Sequence, residues 1–248
     1  MATTTSLAVK AGALSAAALL ALTACGNGDD TDDTTGDGNG EAAGEALTIA
    51  LFGEEPYSWI DEATGEPTGA TIAVAEEIFG ERMGYDITIE EEPEWGNLIP
   101  GLSAGHWDVV SAGMSINAER CAEAAFGEPE LVYTTALLVE EGNPHDVHNF
   151  EDLADADLDV IALSGAVESG YMDEVGVDHD TVDSADDGID FVQGGRADVF
   201  ALTAISLETM AGDQDGVEVT DSFAHELSVA PTPSVPTTRS CSRSSTST

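Results

Sequence analysis

The segment His106-Trp-Asp-Val-Val-Ser-Ala-Gly-Met-Ser115-Ile-Asn-Ala-Glu-Arg120-Cys-Ala-Glu-Ala-Ala-Phe-Gly-Glu-Pro-Glu-Leu131 decides how the rest of the chain is read. A short apolar strand is predicted over Trp107 to Ala112, ending in Gly113-Met114-Ser115, with Arg120 a few residues further on. Arg120 stands out because basic residues are scarce: the full set is Lys10, Arg82, Arg120, Arg196, Arg239 and Arg243. A guanidinium just past the carboxyl end of a strand suits a bidentate grip on a carboxylate, and in α/β sheets ligands bind at that end. The competing reading is a surface arginine paired with one of many acids, which would contribute little.

Upstream of this segment, Leu47 to Phe52 reads as a strand, followed by a loop through Gly53-Glu54-Glu55-Pro56-Tyr57-Ser58-Trp59 and turn chemistry over Asp61 to Gly69. From Ala70 to Met83 the apolar residues Ile72, Ala75, Phe79 and Met83 recur at helical spacing, and Gly84 ends the helix. Asp86 to Glu91 is a second strand, and Asn97 to Ala104 a short helix with Leu98, Ile99 and Leu102 on one side. Strand, helix, strand, helix, strand predicts a βαβ arrangement with a parallel sheet.

Downstream, Tyr133 to Glu140 is a longer extended run closed by Gly142-Asn143-Pro144. A second unit follows: strand Leu158 to Leu163, turn Ser164-Gly165, helix Val167 to Val175, helix Asp186 to Gln193, strand Ala197 to Leu202 and helix Ile205 to Ala211. Two α/β lobes are therefore expected, residues 46–136 and 137–226, each near the minimum size that buries its own core. The extended segment joins them, and a cleft lies between.

Composition bounds the rest. Forty-nine acidic against six basic residues give a formal net charge of −43, a surface that repels nucleic acid and anionic lipid. Such a chain suits high salt, where screening relieves self-repulsion. Residues 1–25 read as an export signal: Lys10 is the positive charge, Ala11 to Leu22 the apolar core, and Leu22-Thr23-Ala24-Cys25 the end. The apolar run is too short for a permanent membrane span. Residues 26–45, rich in Gly, Asp and Thr, are expected to form a disordered acidic tether.

With Cys25 used at the anchor, Cys121 and Cys241 remain; an oxidising compartment permits a bridge between them. No CxxC, HExxH or spaced His pair suggests a metal, and no cofactor is expected. Leu227 to Thr248 contains no acid and is mostly Ser, Thr and Pro, so a disordered tail is expected.

The pieces Gly101-Leu-Ser-Ala-Gly-His-Trp-Asp-Val-Val110, Gly113-Met-Ser-Ile-Asn-Ala-Glu-Arg120 and Phe126-Gly-Glu-Pro129, in that order, resemble family 3 extracellular solute-binding proteins, the receptors of polar amino acid ABC importers. The resemblance covers roughly residues 46 to 226. Glu54-Glu-Pro-Tyr57, Trp95-Gly-Asn-Leu-Ile-Pro-Gly-Leu102, Glu119-Arg-Cys121 and Gly165-Ala-Val-Glu-Ser-Gly-Tyr171 look most like the ectoine/hydroxyectoine-binding branch. The small residues before Cys25 resemble a bacterial lipobox, which implies cleavage there, lipidation of the sulfur and an extracytoplasmic protein anchored to the cell membrane.

The resemblance implies a two-lobed periplasmic-binding-protein fold of type II, here lacking the family's C-terminal return strand and closing helices. A frame error or truncation in the source sequence explains the 227–248 composition better than a native tail. Taken as written, the chain would be weakly stable and close poorly on ligand. By the same resemblance Arg120 would take the ligand carboxylate, helped by the backbone N–H groups of Ala166 and Val167 at a helix start. Glu54 would face a cationic amidine, with Tyr57 and Trp95 as ring faces for a delocalised cation.

Two positions divide the ligand classes. Binders of α-amino acids usually carry an Asp where this chain has Thr203, which cannot neutralise an ammonium and so favours ectoine. The ectoine branch often has a third aromatic where this chain has Ser115, which favours an amino acid. The implied function is capture of a small zwitterionic solute by a monomer that delivers it to an ABC permease, with a polar amino acid as the alternative ligand. A dehydratase on the same fold would need a general acid or base in the cleft. His106, His145, His148, His179 and His225 lie outside the proposed lining, and Glu54 and Glu168 would serve only with raised pKa values. A sensor using the fold without an importer is the remaining alternative.

Overall fold

The structure is a computed structural model that describes residues 44–231. The expected export signal, most of the tether, Cys25 and Cys241 lie outside these residues. The first lobe runs β1 (Ala46–Leu51), β2 (Trp59–Ile60), β3 (Pro67–Thr68), α1 (Ala70–Ala75), β4 (Asp86–Glu91), α2 (Leu98–Ala104), β5 (Val109–Val110) and α3 (Ala118–Glu123). The long strand β6 (Pro129–Glu140) leads into α4 (Phe150–Ala154), β7 (Val160–Leu163), α5 (Val167–Val175), β8 (Asp180–Val182), α6 (Ala185–Gln193), β9 (Val199–Thr203), α7 (Ala204–Met210), β10 (Val217–Val219) and β11 (Phe223–Pro231). The expected parallel sheet of the first lobe is present in the order β4-β1-β5. The second sheet is mixed, β10-β6-β9-β7-β8: β7 runs parallel to both its neighbours, while β6 is antiparallel to β9, β10 and β11.

Burial on both faces explains why β6 over 136–139 and β9 over 199–202 are apolar at consecutive positions. Ala136 and Leu138 of β6, with Phe200 and Leu202 of β9, face a core continuous with Phe52, Trp95, Leu98 and Trp107 of the first lobe. Leu137 and Val139, with Val199 and Ala201, face the opposite side, against Phe150, Leu153 and Met172. A strand covered on both faces loses the polar half of its pattern. One α-helix start in the second lobe is also legible: Asn149 caps α4 by accepting from Asp152 N–H at 2.9 Å.

Three expectations change. The helix from Ala70 does not stay α-helical; it continues as π-helical turns over Glu76–Arg82. The wider turn rotates the face it carries, so Ile72, Ala75 and Phe79 are buried while Met83, expected on the same stripe, is exposed. The strand expected over Trp107 to Ala112 is regular only at Val109–Val110. Asp108 and Ser111 still donate to Thr48 and Ala50 of β1, at 2.8 and 2.9 Å, but Trp107 has turned into the core, where its indole N–H bonds Leu98 O at 3.0 Å. That packing is possible only because residue 101 lacks a side chain: a Cβ there would stand 2.1 Å from the Trp107 ring.

The third change is at the carboxyl end. Phe223–Pro231 runs back along β6 as far as Pro129, with register shifts after Phe223 and after Ala230. An antiparallel strand therefore extends into residues the composition assigned to a tail; the backbone hydrogen-bonding edge of β6 is open to any extended segment whatever its polarity. What remains of the expected tail, 232–248, lies outside the described residues. Cys121 is disulfide-bonded, and its partner is not among the described residues.

Candidate ligand-binding site

The first lobe presents its side chains from turns at the carboxyl end of its sheet. After β1 the backbone folds back tightly: Glu54 N–H donates to Ser58 O at 2.8 Å, and Tyr57 N–H to Glu54 O at 2.9 Å. The Ser58 hydroxyl ties the turn to Phe52 O at 2.7 Å. This puts the side chains of Glu54 and Tyr57 inside, 4% and 5% exposed. After β5, Asn117 caps α3 by accepting from Arg120 N–H at 2.8 Å, which fixes where the arginine leaves the backbone.

Arg120 is buried, and its guanidinium donates to Ser115 O at 2.9 Å and to Gly165 O of the second lobe at 2.8 Å. Its carbon lies 5.7 Å from the Trp95 ring centroid. Among the described residues it makes no ion pair: those present are Arg82–Glu77, His148–Asp146 and His225–Glu174. Two of its five donors are used on carbonyls, and no counter-charge among the described residues is in bonding contact with the cation.

The second lobe answers at Glu54. Ser206, fully buried at the start of α7, donates to Glu54 Oε1 at 2.6 Å. The Thr203 hydroxyl lies 3.1 Å from the same oxygen and 2.8 Å from Ser206 Oγ, and donates to one or the other. Burial pushes the Glu54 carboxyl up from 4.5 to about 7, the Glu168 charge adding to the rise and the two hydroxyls opposing it. Glu168 is raised in the same direction, again by burial.

All eight residues expected at the site, Glu54, Tyr57, Trp95, Ser115, Arg120, Ala166, Val167 and Thr203, line one chamber. It measures about 20 Å³, room for about one water, so a solute of several heavy atoms gains access only if the walls part. Trp95, Ser115, Arg120, Ala166 and Val167 also line a broader adjoining groove of about 600 Å³.

The details differ from expectation at two of the eight. Ala166 N–H is already donated to Leu163 O at 3.1 Å, because Ser164-Gly165 forms a tight turn before α5. It is not free for a carboxylate. Thr203 is engaged with Glu54 rather than simply standing in for a missing acid.

The chamber also contains residues to which the sequence assigns no binding role, Tyr133, Gly113, Glu168, Leu163 and Leu202. Tyr133 is bonded through its hydroxyl to Ser115 and stands 3.2 Å from Gly113 O. Its ring is 5.8 Å from that of Tyr57, tilted by 51°. The small residue at 115 thus leaves space for a ring from β6. Nothing in the local sequence around Tyr133 signals this, since it follows from how β6 crosses the loop.

The titration of Glu54 has a sign. Its folded pKa of about 7 lies above the ordinary 4.5, so the native state holds the proton more tightly than the unfolded chain. That contribution is complete below about pH 4.5 and is lost as pH rises through about 7. Urea midpoints of the ligand-free protein at constant ionic strength are expected to fall between pH 5 and 8, and to fall less steeply in Glu54→Gln. Parallel slopes in parent and variant would show that Glu54 titrates normally.

Residues 47–228 match the model of the bacterial extracellular solute-binding proteins, family 3. The chain belongs to that family. It is 34% identical over 185 residues to the probable amino-acid ABC transporter periplasmic-binding protein y4tE of Sinorhizobium fredii, a match covering 71% of this chain and 60% of the relative. The chain thus spans about 60% of that relative's length. Among solved structures it is similar to EhuB in complex with hydroxyectoine, with a TM-score of 0.68 and 30% identity over 77% of this chain and 76% of the other. The arginine-bound ArgBP of T. maritima (Gly52Ala mutant) has a TM-score of 0.69 at 22% identity, over 76% and 86%; this likeness shows the shared type II two-lobed fold.

Proposed function

We propose that this family 3 protein is the solute-binding component of an ABC importer and that its ligand is a small zwitterionic compatible solute, ectoine or hydroxyectoine. The observation that carries this reading is one chamber walled by a buried guanidinium that bonds no counter-charge among the described residues, a buried carboxylate and the rings of Trp95, Tyr57 and Tyr133. Arg120 holds the carboxylate of the solute, Glu54 its amidinium, and the rings cover a charge spread over several atoms. The likeness to a hydroxyectoine complex supports the same ligand class.

Links between lobes already run through the ligand-facing residues: Arg120 to Gly165 O, and Glu54 to Ser206. Solute captured at these groups favours the closed arrangement in proportion to its preference for that state, and a permease recognises the closed form. The reading includes a monomer tethered outside the cell by lipid on Cys25, binding its solute without catalysis.

A polar amino acid is the second reading, favoured by the relation to y4tE and by Ser115. Against it stands Thr203, a hydroxyl already committed beside Glu54. Isothermal titration in high salt with ectoine, hydroxyectoine and a panel of polar amino acids separates them. Micromolar or tighter binding of ectoine or hydroxyectoine, with amino acids at least about 100-fold weaker, is expected, a gap of about 3 kcal/mol. Heat only with an amino acid defeats the first reading.

A further inference from the structure

Glu168 is the charged group of the chamber that the proposed mode of binding does not use. It sits at the second position of α5 and is 2% exposed. Its contacts are thin for a buried carboxyl group: its own backbone N–H, and the Thr135 hydroxyl at a long 3.4 Å. Arg120 is not within ion-pair distance of it, though its charge favours the ionised carboxylate from beyond bonding contact. Around it, Glu54 and Tyr57 come from the turn after β1, Arg120 from α3, Tyr133 from β6 and Thr203 from the end of β9. The chamber therefore holds two carboxyl groups and one guanidinium. It also holds the Tyr57 hydroxyl, buried and without a hydrogen-bond partner among the described residues.

A carboxyl group removed from water and this weakly bonded is unfavourable to the fold in its charged form, which is why burial raises its pKa. Isolated burial of this kind is characteristic of groups held ready for a ligand. We propose that Glu168 is a second anionic contact for the cationic end of the solute, supplied by the second lobe as Glu54 is supplied by the first. The two acids then repel when the lobes meet, and a cation between them cancels the repulsion. A solute that carries a cationic centre then favours closure more than a purely anionic one, although Arg120 could bind either. The inference rests on the chamber being a solute site but not on which solute occupies it.

The test uses Glu168→Gln, which keeps the shape and can still accept from Thr135, and Glu168→Asp, which keeps the charge. Ectoine, L-arginine and succinate are titrated into parent and variants, and ligand-free melting is recorded at pH 7.5. For whichever cation-bearing probe the parent binds, Glu168→Gln is expected to weaken binding about tenfold or more and Glu168→Asp to recover part of it. The ligand-free Glu168→Gln protein is expected to melt about 2 °C or more above the parent, since a buried, thinly bonded carboxyl group is replaced by a neutral amide. A variant that only supported the fold would do the opposite, melting lower with affinity unchanged, and that result overturns the proposal. So does an affinity within twofold of the parent, succinate binding as tightly as the cation-bearing probe, or a parent that binds neither ectoine nor L-arginine. If the parent binds L-arginine but not ectoine and Glu168→Gln still loses affinity, the compatible-solute reading fails while the role of Glu168 stands.

Discussion

Arg120→Ala is expected to weaken solute binding at least 100-fold while leaving the melting temperature of the ligand-free protein nearly unchanged or raised. The guanidinium is buried, is held by two carbonyls from different lobes and makes no ion pair among the described residues. Its burial is unfavourable in the empty site and becomes favourable only when a carboxylate arrives. Removing one partner of a buried, hydrogen-bonded charge pair costs about 2–5 kcal/mol of binding, and the upper part of that range applies where no water can substitute. Arg120→Lys is expected to lose most of the same affinity. An ammonium carries the charge but cannot reach Ser115 O, Gly165 O and a carboxylate from one planar fork. Titration calorimetry on the three proteins checks this. Retention of parental affinity by Arg120→Ala would remove the guanidinium from the site and the proposed ligand class with it.

The second large effect is on the fold at the rim of the site. Gly69 precedes α1 with φ 123° and ψ 169°, a conformation that residues with a Cβ rarely adopt. A Cβ there would also fall 2.2 Å from Tyr57 O. That carbonyl cannot give way, because it accepts from Thr71 N–H at 3.0 Å and lies 3.1 Å from the Thr71 hydroxyl. Thr71 is itself tied to Ser111, whose hydroxyl donates to Thr71 O at 3.0 Å. Gly69→Ala is therefore expected to destabilise by about 3 kcal/mol or more, lowering the melting temperature by about 6–12 °C. Binding should also suffer, because the turn carrying Glu54 and Tyr57 is displaced. A variant melting within 1 °C of the parent with unchanged affinity would show that the turn is softer than its bonding implies.

Much of this candidate site is legible in the sequence. Arg120 was conspicuous as one of six basic residues, and strand followed by Gly-Met-Ser placed it at a sheet's carboxyl end. Helix α5 and strand β4 fall on the expected residues, Val167–Val175 and Asp86–Glu91, because glycine stops and alternating apolar residues are local signals. Where local signals were misleading, packing decided. Trp107 reads as part of a strand but is drawn into the gap left by Gly101. Met83 continues a helical stripe in sequence and is turned outward by π-helical winding. Residues 227–231 look like the start of a Ser/Thr tail, yet the backbone edge of β6 pairs with them.

The sequence by itself determined most of the order of strands and helices, the scarcity of positive charge and the place of Arg120 just beyond a strand's carboxyl end. Those are properties of spacing and composition, which survive without knowledge of distant contacts. Only the tertiary structure decided that Tyr133 fills the space beside Ser115, that Ala166 N–H is used up within its own turn, and that Glu168 joins Glu54 in one chamber. Glu54 and Glu168 are separated by more than a hundred residues, and their common burial is created when two separately built sheets meet. Buried electrostatics depends on that meeting, because the penalty for a charge is set by what excludes water from it and not by its neighbours in the chain.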